Sequence, residues 1–404
     1  MTTPQSEAEA PPDPGPRRWL NLHPDVLRLG LVSFLTDLSS EMIFSVFAVF
    51  FTTVAGASNA LLGLIEGMAD LSASSLNYLS GWLSDRSGKR KGFVIAGYGF
   101  STLAKTILLL SSSIAGLAVF RVIERLGKGF RGPPRDAWLS TVADAAHRGY
   151  AFGVHKALDK SGAVLGPLAA YGLLRWLGET PSGYLALFWV AFVPAVASVA
   201  VLAFVKDQPG TPRERESMLR GWSLLNPGFK RFLLPAGIFA LAYYSLGFLL
   251  VKAHDLGFSV TDTVLLYALF NITCVIIAPL AGKLGDRVGR SHVVMLGYAL
   301  FGLINLGVVF ATRRWEMVAL FAVYGFFYAI EDSQSKAFIA DLEPERRATA
   351  IGIYNFVTGM LYLPASLVAG ALWALAPGYT FGFAALLSLI AIAVFAAARP
   401  VPSS

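Results

Sequence analysis

A chain of 404 residues that is 55% hydrophobic and 15% charged, with a mean hydropathy of +0.58, lies outside the range of water-soluble domains, which carry about 25% charge. The net charge of +7 does not mark a nucleic-acid partner. The basic residues fall in short loops between long apolar runs and read as contacts with a membrane surface.

Residues 1–24 are rich in proline and acids and lack the apolar core of a cleavable signal, so they are expected to form a disordered cytoplasmic tail. Apolar runs near 20 residues follow, each long enough to cross a hydrocarbon core of about 30 Å. Spans are expected near 26–54, 60–83, 93–112, 115–141, 151–175 and 184–205, forming an N-terminal six-helix bundle over 25–205. A polar cytoplasmic linker, 206–230, holds Lys206, Pro209, Pro212, Arg213, Arg215 and Arg220. Spans near 231–252, 260–282, 292–312, 315–340, 349–372 and 377–398 form a C-terminal bundle over 231–398, and 399–404 are a second short tail. The expected fold is an all-α polytopic membrane protein of twelve transmembrane helices. The single cysteine, Cys274, falls within a span, reads as a packing residue and excludes an intrachain disulfide.

Loops on one side carry Arg86, Lys89, Arg90, Lys91, Arg148, Arg287, Arg290, Arg346 and Arg347; the opposite side holds little beyond Arg175, Lys252, Arg313 and Arg314. Basic loops stay inside, so both termini and the linker are expected in the cytoplasm of a bacterial cell, with the chain in its inner membrane.

The chain also repeats itself. Gly81-Trp-Leu-Ser-Asp85-Arg86-Ser-Gly88-Lys89-Arg90-Lys91 returns as Gly282-Lys-Leu-Gly-Asp286-Arg287-Val-Gly289-Arg290. Gly97-Tyr98 returns as Gly297-Tyr298, and Arg148-Gly-Tyr-Ala151-Phe-Gly153 as Arg347-Ala-Thr-Ala350-Ile-Gly352. Such near-constant spacing implies two halves on one plan, the construction of many secondary transporters, with the substrate site between them.

The doubled loop motif resembles the signature loop of the major facilitator superfamily, and the resemblance extends from about residue 25 to 398. In physical terms Gly81 lets helices approach, Asp85 ends a span at the surface, Gly88 permits a turn and the cations hold the loop inside. The resemblance implies a cytoplasmic gate: Gly81, Asp85, Arg86, Gly88 and Arg90, with Gly282, Asp286, Arg287 and Gly289 as counterparts. A plain topological anchor is the alternative. Gly162, Gly166 and Pro167 resemble the span-5 motif of antiporters, although Ala170 stands where its first terminal glycine belongs. The motif implies export. The resemblance also implies a monomer that needs no cofactor or metal and works with a small-molecule substrate, protons and lipids.

Within the spans, Asp37 and Glu41, and again Glu66 and Asp70, lie four residues apart and so share a helix face. A charge near the bilayer centre costs about 3 kcal/mol on insertion scales, so these acids must meet water, cations or protons. A carboxylate in a low-dielectric setting favours its protonated form, which suits a proton carrier. Span 4 offers a basic stripe of Arg121, Arg125, Lys128 and Arg135 with Glu124 beside it. The stripe can neutralise the acids or bind an anionic substrate; the alternative is a salt-bridge network that only joins helices. Pro133-Pro134 should make the end of span 4 irregular. Asn271 and Glu331 are the main polar intrusions of the second half, with Tyr243, Tyr244 and Tyr328 near them.

The expected function is proton-coupled efflux of a drug-like or amphiphilic metabolite by alternating access. Uptake of an organic anion, or lipid flipping on the same fold, are the alternatives. The chain is not expected to be an enzyme: His23, His147, His155, His254 and His292 show no metal-ligand spacing, and a GxxxxGK[ST] loop for ATP is lacking.

Overall fold

The computed structural model describes residues 22–111, 113–142, 148–207, 222, 225–343 and 347–400. Most of both expected tails (all but 22–24 and 399–400) and most of the linker lie outside these residues. The first half contains α1 (Pro24–Val49, prolonged by a wider turn over Phe50–Val54), α2 (Asn59–Ser87), α3 (Lys91–Leu110), α4 (Ile114–Val142), α5 (Arg148–Leu177) and α6 (Pro181–Ala203). The second contains α7 (Pro227–Ala242), α8 (Gly247–Asp255), α9 (Val260–Val288), α10 (Arg290–Phe310), α11 (Arg314–Leu342), α12 (Arg347–Leu375) and α13 (Pro377–Ala398). Helices α7 and α8 are one span broken in the middle, so the thirteen helices among the described residues make twelve spans.

Local chemistry sets the ends. Pro24, Pro181, Pro227 and Pro377 occupy first turns, where a missing amide costs nothing. Ser58 caps α2 through the Leu61 amide, and Ser259 forms a reciprocal capping box with Asp262 on α9. Gly88 closes α2 with φ +68°, a left-handed backbone that explains the glycine of the loop motif. Contrary to the sequence expectation, α4 runs through Pro133-Pro134 as continuous helix to Val142. Neighbouring helices can support such a proline within a membrane bundle.

Within the first half α1 packs on α5 and α6, α4 on α2 and α3, and α3 on α6. Within the second α11 packs on α9 and α10, and α13 on α7, α10 and α12. The halves meet mainly through α2 on α12 and α5 on α9. At α2–α12 the backbones nearly touch: a Cβ on Gly63 would lie 2.2 Å from the Ser366 carbonyl oxygen, and one on Gly370 would lie 2.8 Å from Ala60 Cα. At the α5–α9 contact, Glu179 after α5 accepts from the Thr261 amide (2.7 Å) and hydroxyl (2.6 Å) at the start of α9. Both contacts seal the end remote from the basic loops. Towards the basic end α2 and α12 stay in contact: a Cβ on Gly359 would lie 2.2 Å from Ser74 Cβ, and the Tyr78 and Phe356 rings are 6.4 Å apart.

Eight of the helical spans among the described residues are long and apolar enough to cross a membrane by composition alone. The four that fall short, α2, α4, α5 and α11, carry most of the charge discussed next.

Candidate functional site

Between the halves lies a chamber of about 160 Å³. The first half contributes Glu41 and Phe44 from α1, Glu66 and Asp70 from α2, and Arg121, Arg125 and Lys128 from α4. The second contributes Tyr243, Ser245 and Gly247 at the α7–α8 break, Tyr267 and Phe270 from α9, and Tyr324 and Tyr328 from α11. A second chamber of about 360 Å³ shares Asp70, Arg125, Tyr243 and Tyr328 with the first and continues towards the basic end past Asn77, Glu331, Asp332, Lys336 and Tyr354.

Helical spacing creates the charged wall. Arg121, Arg125 and Lys128 recur at four and three residues along α4 and face the four-spaced pair Glu66 and Asp70 on α2. Arg121 holds Glu66 in a fork, Nε to Oε1 at 2.6 Å and Nη2 to Oε2 at 2.7 Å, and its guanidinium lies 4.2 Å above the Phe44 ring. The second half reaches into this pair: the Ser245 hydroxyl donates to Glu66 Oε2 at 3.0 Å. Arg125 meets Asp70 more loosely, 3.3 Å from Nη2 to Oδ1. Glu41 accepts from the Tyr267 hydroxyl, a second hydrogen bond across the halves. In the lower chamber Glu331 accepts from Tyr354 (2.9 Å) and Ser335 (3.0 Å), and Lys336 pairs with Asp332 at 2.7 Å.

Three residues named from sequence stand apart from the chambers. Glu124 is buried behind α4, accepting from the Ser40 hydroxyl at 3.3 Å; that hydroxyl in turn accepts from buried Lys105 at 3.1 Å. Asp37 lines neither chamber and makes no hydrogen bond or ion pair among the described residues. Asn271 is buried and donates to the Tyr267 carbonyl one turn back at 3.2 Å. Arg135 sits towards the basic end, joining Asp136 at 3.0 Å, Ser33 at 3.1 Å and Asp159 at 3.8 Å.

The loop motifs repeat in space as in sequence. Arg90 donates to the Ala137 carbonyl at 2.9 Å, and Arg290 donates to Ala337 at 3.2 Å and Asp341 at 2.6 Å. Arg86 lies 5.2 Å above Trp82, Gly81 is buried, and Gly289 turns with φ +92°. Gly282 has open space beside it and Arg287 is exposed, while the side chains of Asp85 and Asp286 lie outside the described residues. Gly162 and Gly166 seat α5 on α1, where Cβ atoms would fall 2.5 Å and 2.7 Å from the Phe34 and Leu38 carbonyl oxygens. Pro167 follows them inside the helix.

Sequence reasoning missed Ser245 and Tyr267, which hydrogen-bond across the upper chamber to Glu66 and Glu41. The signal for the first was Tyr243-Tyr244-Ser245-Leu246-Gly247, a polar and glycine-bearing interruption of an otherwise apolar span.

Two bundles of six spans around a shared charged cavity define a multi-pass membrane transporter. The description of the Major Facilitator Superfamily matches residues 29–251 and again 232–404, one match for each half. The chain is 34% identical over 376 residues to an uncharacterized MFS-type transporter of Methanocaldococcus jannaschii, covering 91% of this chain and 93% of that one. It is 26% identical over 319 residues to a probable 4-methylmuconolactone transporter of Cupriavidus pinatubonensis, covering 74% and 72%. The crystal structure of the POT family transporter PepTSo superposes with a TM-score of 0.80 at 11% identity, over 95% of this chain and 98% of that one. The protein belongs to the Major Facilitator Superfamily and is a transporter, not an enzyme.

Proposed function

We propose that the protein is a proton-coupled carrier that moves a small amphiphilic solute by alternating access, with Glu66 and Asp70 as the proton-bearing groups. The observation that carries this is the three-way contact of Arg121, Glu66 and Ser245, which ties the charge state of one carboxylate to the contact between halves. A proton on Glu66 would remove the charge that holds Arg121 and weaken the hydrogen bond from Ser245, loosening the α7–α8 hinge from α2 and α4. Asp70 lines both chambers and can exchange protons through the lower one. With the basic loops taken as cytoplasmic, the contacts at the remote end and the second chamber reaching towards the basic end support a state closed to the outside.

Export is the direction we favour, from the antiporter-like Gly162, Gly166 and Pro167 that seat α5 on α1. Uptake of an organic anion with protons is a second reading. It is supported by Lys128, which lines the chamber without an ion-pair partner among the described residues, and by the similarity to the probable 4-methylmuconolactone transporter.

The test is flux in liposomes under an imposed pH difference, using ligands selected by thermal stabilisation of the purified chain. Wild-type flux should follow the proton gradient, and its sign should give the direction. Glu66→Gln and Asp70→Asn should uncouple it while the protein stays folded. Undiminished pH-driven flux in both variants would remove these residues from the coupling role.

A further inference from the structure

The α7–α8 break leaves a helix start inside the membrane. Helix α8 begins at Gly247 and runs to Asp255, and Ser245, Leu246 and Gly247 line the upper chamber. Its first amides have no intrahelical acceptors, and the helix dipole is positive there. Leu246 at the cap supplies no side-chain acceptor; the Gly247 amide is met by Ser245 Oγ at 3.2 Å and the Phe248 amide by the Ser245 carbonyl at 3.0 Å, which leaves the Leu249 amide without an acceptor among the described residues.

The cations on α4 have unused donors at the same chamber. Arg121 is 5% exposed, and its Nη1 is buried without a partner. Arg125 Nε is likewise buried and unpartnered. Lys128 lines the chamber with no hydrogen bond or ion pair among the described residues. Opposite these donors stands an aromatic wall, in which Phe270 lies 5.5 Å from Tyr324 and 5.3 Å from Tyr328, ring centre to ring centre.

From this juxtaposition we infer that the upper chamber binds a small aromatic monocarboxylate, its carboxylate between the α8 N-terminus and the α4 cations and its ring on the Phe270–Tyr324–Tyr328 wall, together with one proton. The inference rests on the second of the two readings, uptake of an organic anion with protons, and names its substrate class. The proton follows from charge balance. Arg121, Arg125 and Lys128 already face Glu41, Glu66 and Asp70 in equal number. An added anion would leave a net charge in a low-dielectric site unless a carboxylate is neutralised.

Asp70 is the group assigned to take the proton. Glu66 is held by three hydrogen bonds, whereas Asp70 has one 3.3 Å ion pair and borders the lower chamber. Arg121, Arg125 and Lys128 face Asp70 from α4, with Glu66 on its own helix and Glu41 on α1. Tyr243 at the α7–α8 break, Tyr267 on α9, Tyr328, Glu331, Asp332 and Lys336 on α11, and Tyr354 and Tyr362 on α12 are the other titratable groups lining the two chambers that Asp70 borders.

Calorimetry on the purified full-length chain in detergent, with benzoate, benzamide and benzylamine as probes at about pH 6 and about pH 8, tests this. Benzoate should bind at least about tenfold more tightly than benzamide, and benzylamine should not bind. Its affinity should fall by about tenfold per pH unit once the accompanying proton must be drawn from solution. Lys128→Met should weaken benzoate about tenfold without lowering Tm, and Asp70→Asn should bind benzoate with the pH dependence gone. Equal binding of the three probes, or benzoate binding indifferent to pH and to both substitutions, overturns the inference. Benzoate binding without gradient-driven flux would defeat the carrier reading and leave this site standing. Proton-driven flux of other solutes with no carboxylate binding would do the reverse.

Discussion

Matching places in the two halves hold different chemistry on the same backbone. On α4 and α11, 200 residues apart, Arg121 is matched by Phe321, Glu124 by Tyr324, Arg125 by Gly325 and Lys128 by Tyr328. On α2 and α9, 201 residues apart, Glu66 is matched by Tyr267 and Asp70 by Asn271; on α3 and α10, buried Lys105 is matched by buried Asn305. The first half is ionic where the second is aromatic, amide or, at Gly325, glycine. A consequence appears in the pairing: every ion pair among the described residues joins two groups of one half, as in Glu66–Arg121, Asp70–Arg125, Asp332–Lys336 and Asp262–Arg314. The bonds that cross the cavity from Ser245 to Glu66 and from Tyr267 to Glu41 have a neutral hydroxyl as donor. Separating a buried ion pair costs about 3–5 kcal/mol, whereas a hydrogen bond to a charged group is worth about 1.5–3 kcal/mol. Two halves joined by hydroxyls can therefore rock apart without stranding a charge.

The largest effect that can break this comparison is the one expected from Glu66→Gln. It leaves Arg121 buried without its counter-charge, which should destabilise the protein by on the order of 3 kcal/mol and cut gradient-driven flux at least about a hundredfold. The matching change in the other half, Tyr267→Phe, removes one hydroxyl and should cost about 1–2 kcal/mol with about tenfold loss of flux. Thermal unfolding and liposome flux measure both. Equal losses from the two variants would mean that the ionic and aromatic halves are energetically interchangeable, and the distinction would fail.

Ser245→Ala comes next. If the Ser245–Glu66 hydrogen bond, worth about 1.5 kcal/mol, is lost when the remote end opens, removing it should shift the balance about tenfold towards the opposite state. A thiol placed at the sealed α2–α12 contact, Ser366→Cys in a Cys274→Ala background, should then react about tenfold faster with a maleimide. An unchanged labelling rate would show that Ser245 does not help to hold the halves together.

The sequence was most informative where physics acts along one helix. Apolar length gave spans whose ends fall within a few residues of the observed ones, and the four-residue spacings of Glu66 with Asp70 and Arg121 with Arg125 gave the charged faces that meet in the chamber. Facts that depend on two distant segments were hidden. The bond from Ser245 at the α7–α8 break to Glu66 on another helix was hidden, because hydropathy averaged over the window sees only an apolar run. Asp37 and Asp70 read alike by depth in their spans, yet Asp70 borders both chambers and Asp37 neither. The continuity of α4 through Pro133-Pro134 is likewise tertiary, because a local rule for proline cannot weigh what neighbouring helices supply.

The smallest expected effects test the half of the comparison that concerns likeness. Arg90 and Arg290 hold their loops against Ala137 and Ala337, each carbonyl 47 residues further along its own half, so here the repeat is kept in contact as well as in sequence. Arg90→Gln and Arg290→Gln should therefore cost similar amounts, each about 1 kcal/mol or less, because the contacts are partly exposed hydrogen bonds. Neither should change the affinity of a cavity ligand, since the loops lie at the basic end. Urea or thermal unfolding in micelles with a binding isotherm alongside would show this. A cost several times larger for Arg90 than for Arg290 would mean that the asymmetry extends from the cavity wall to the loops, and that the first half bears the gating load as well as the charge.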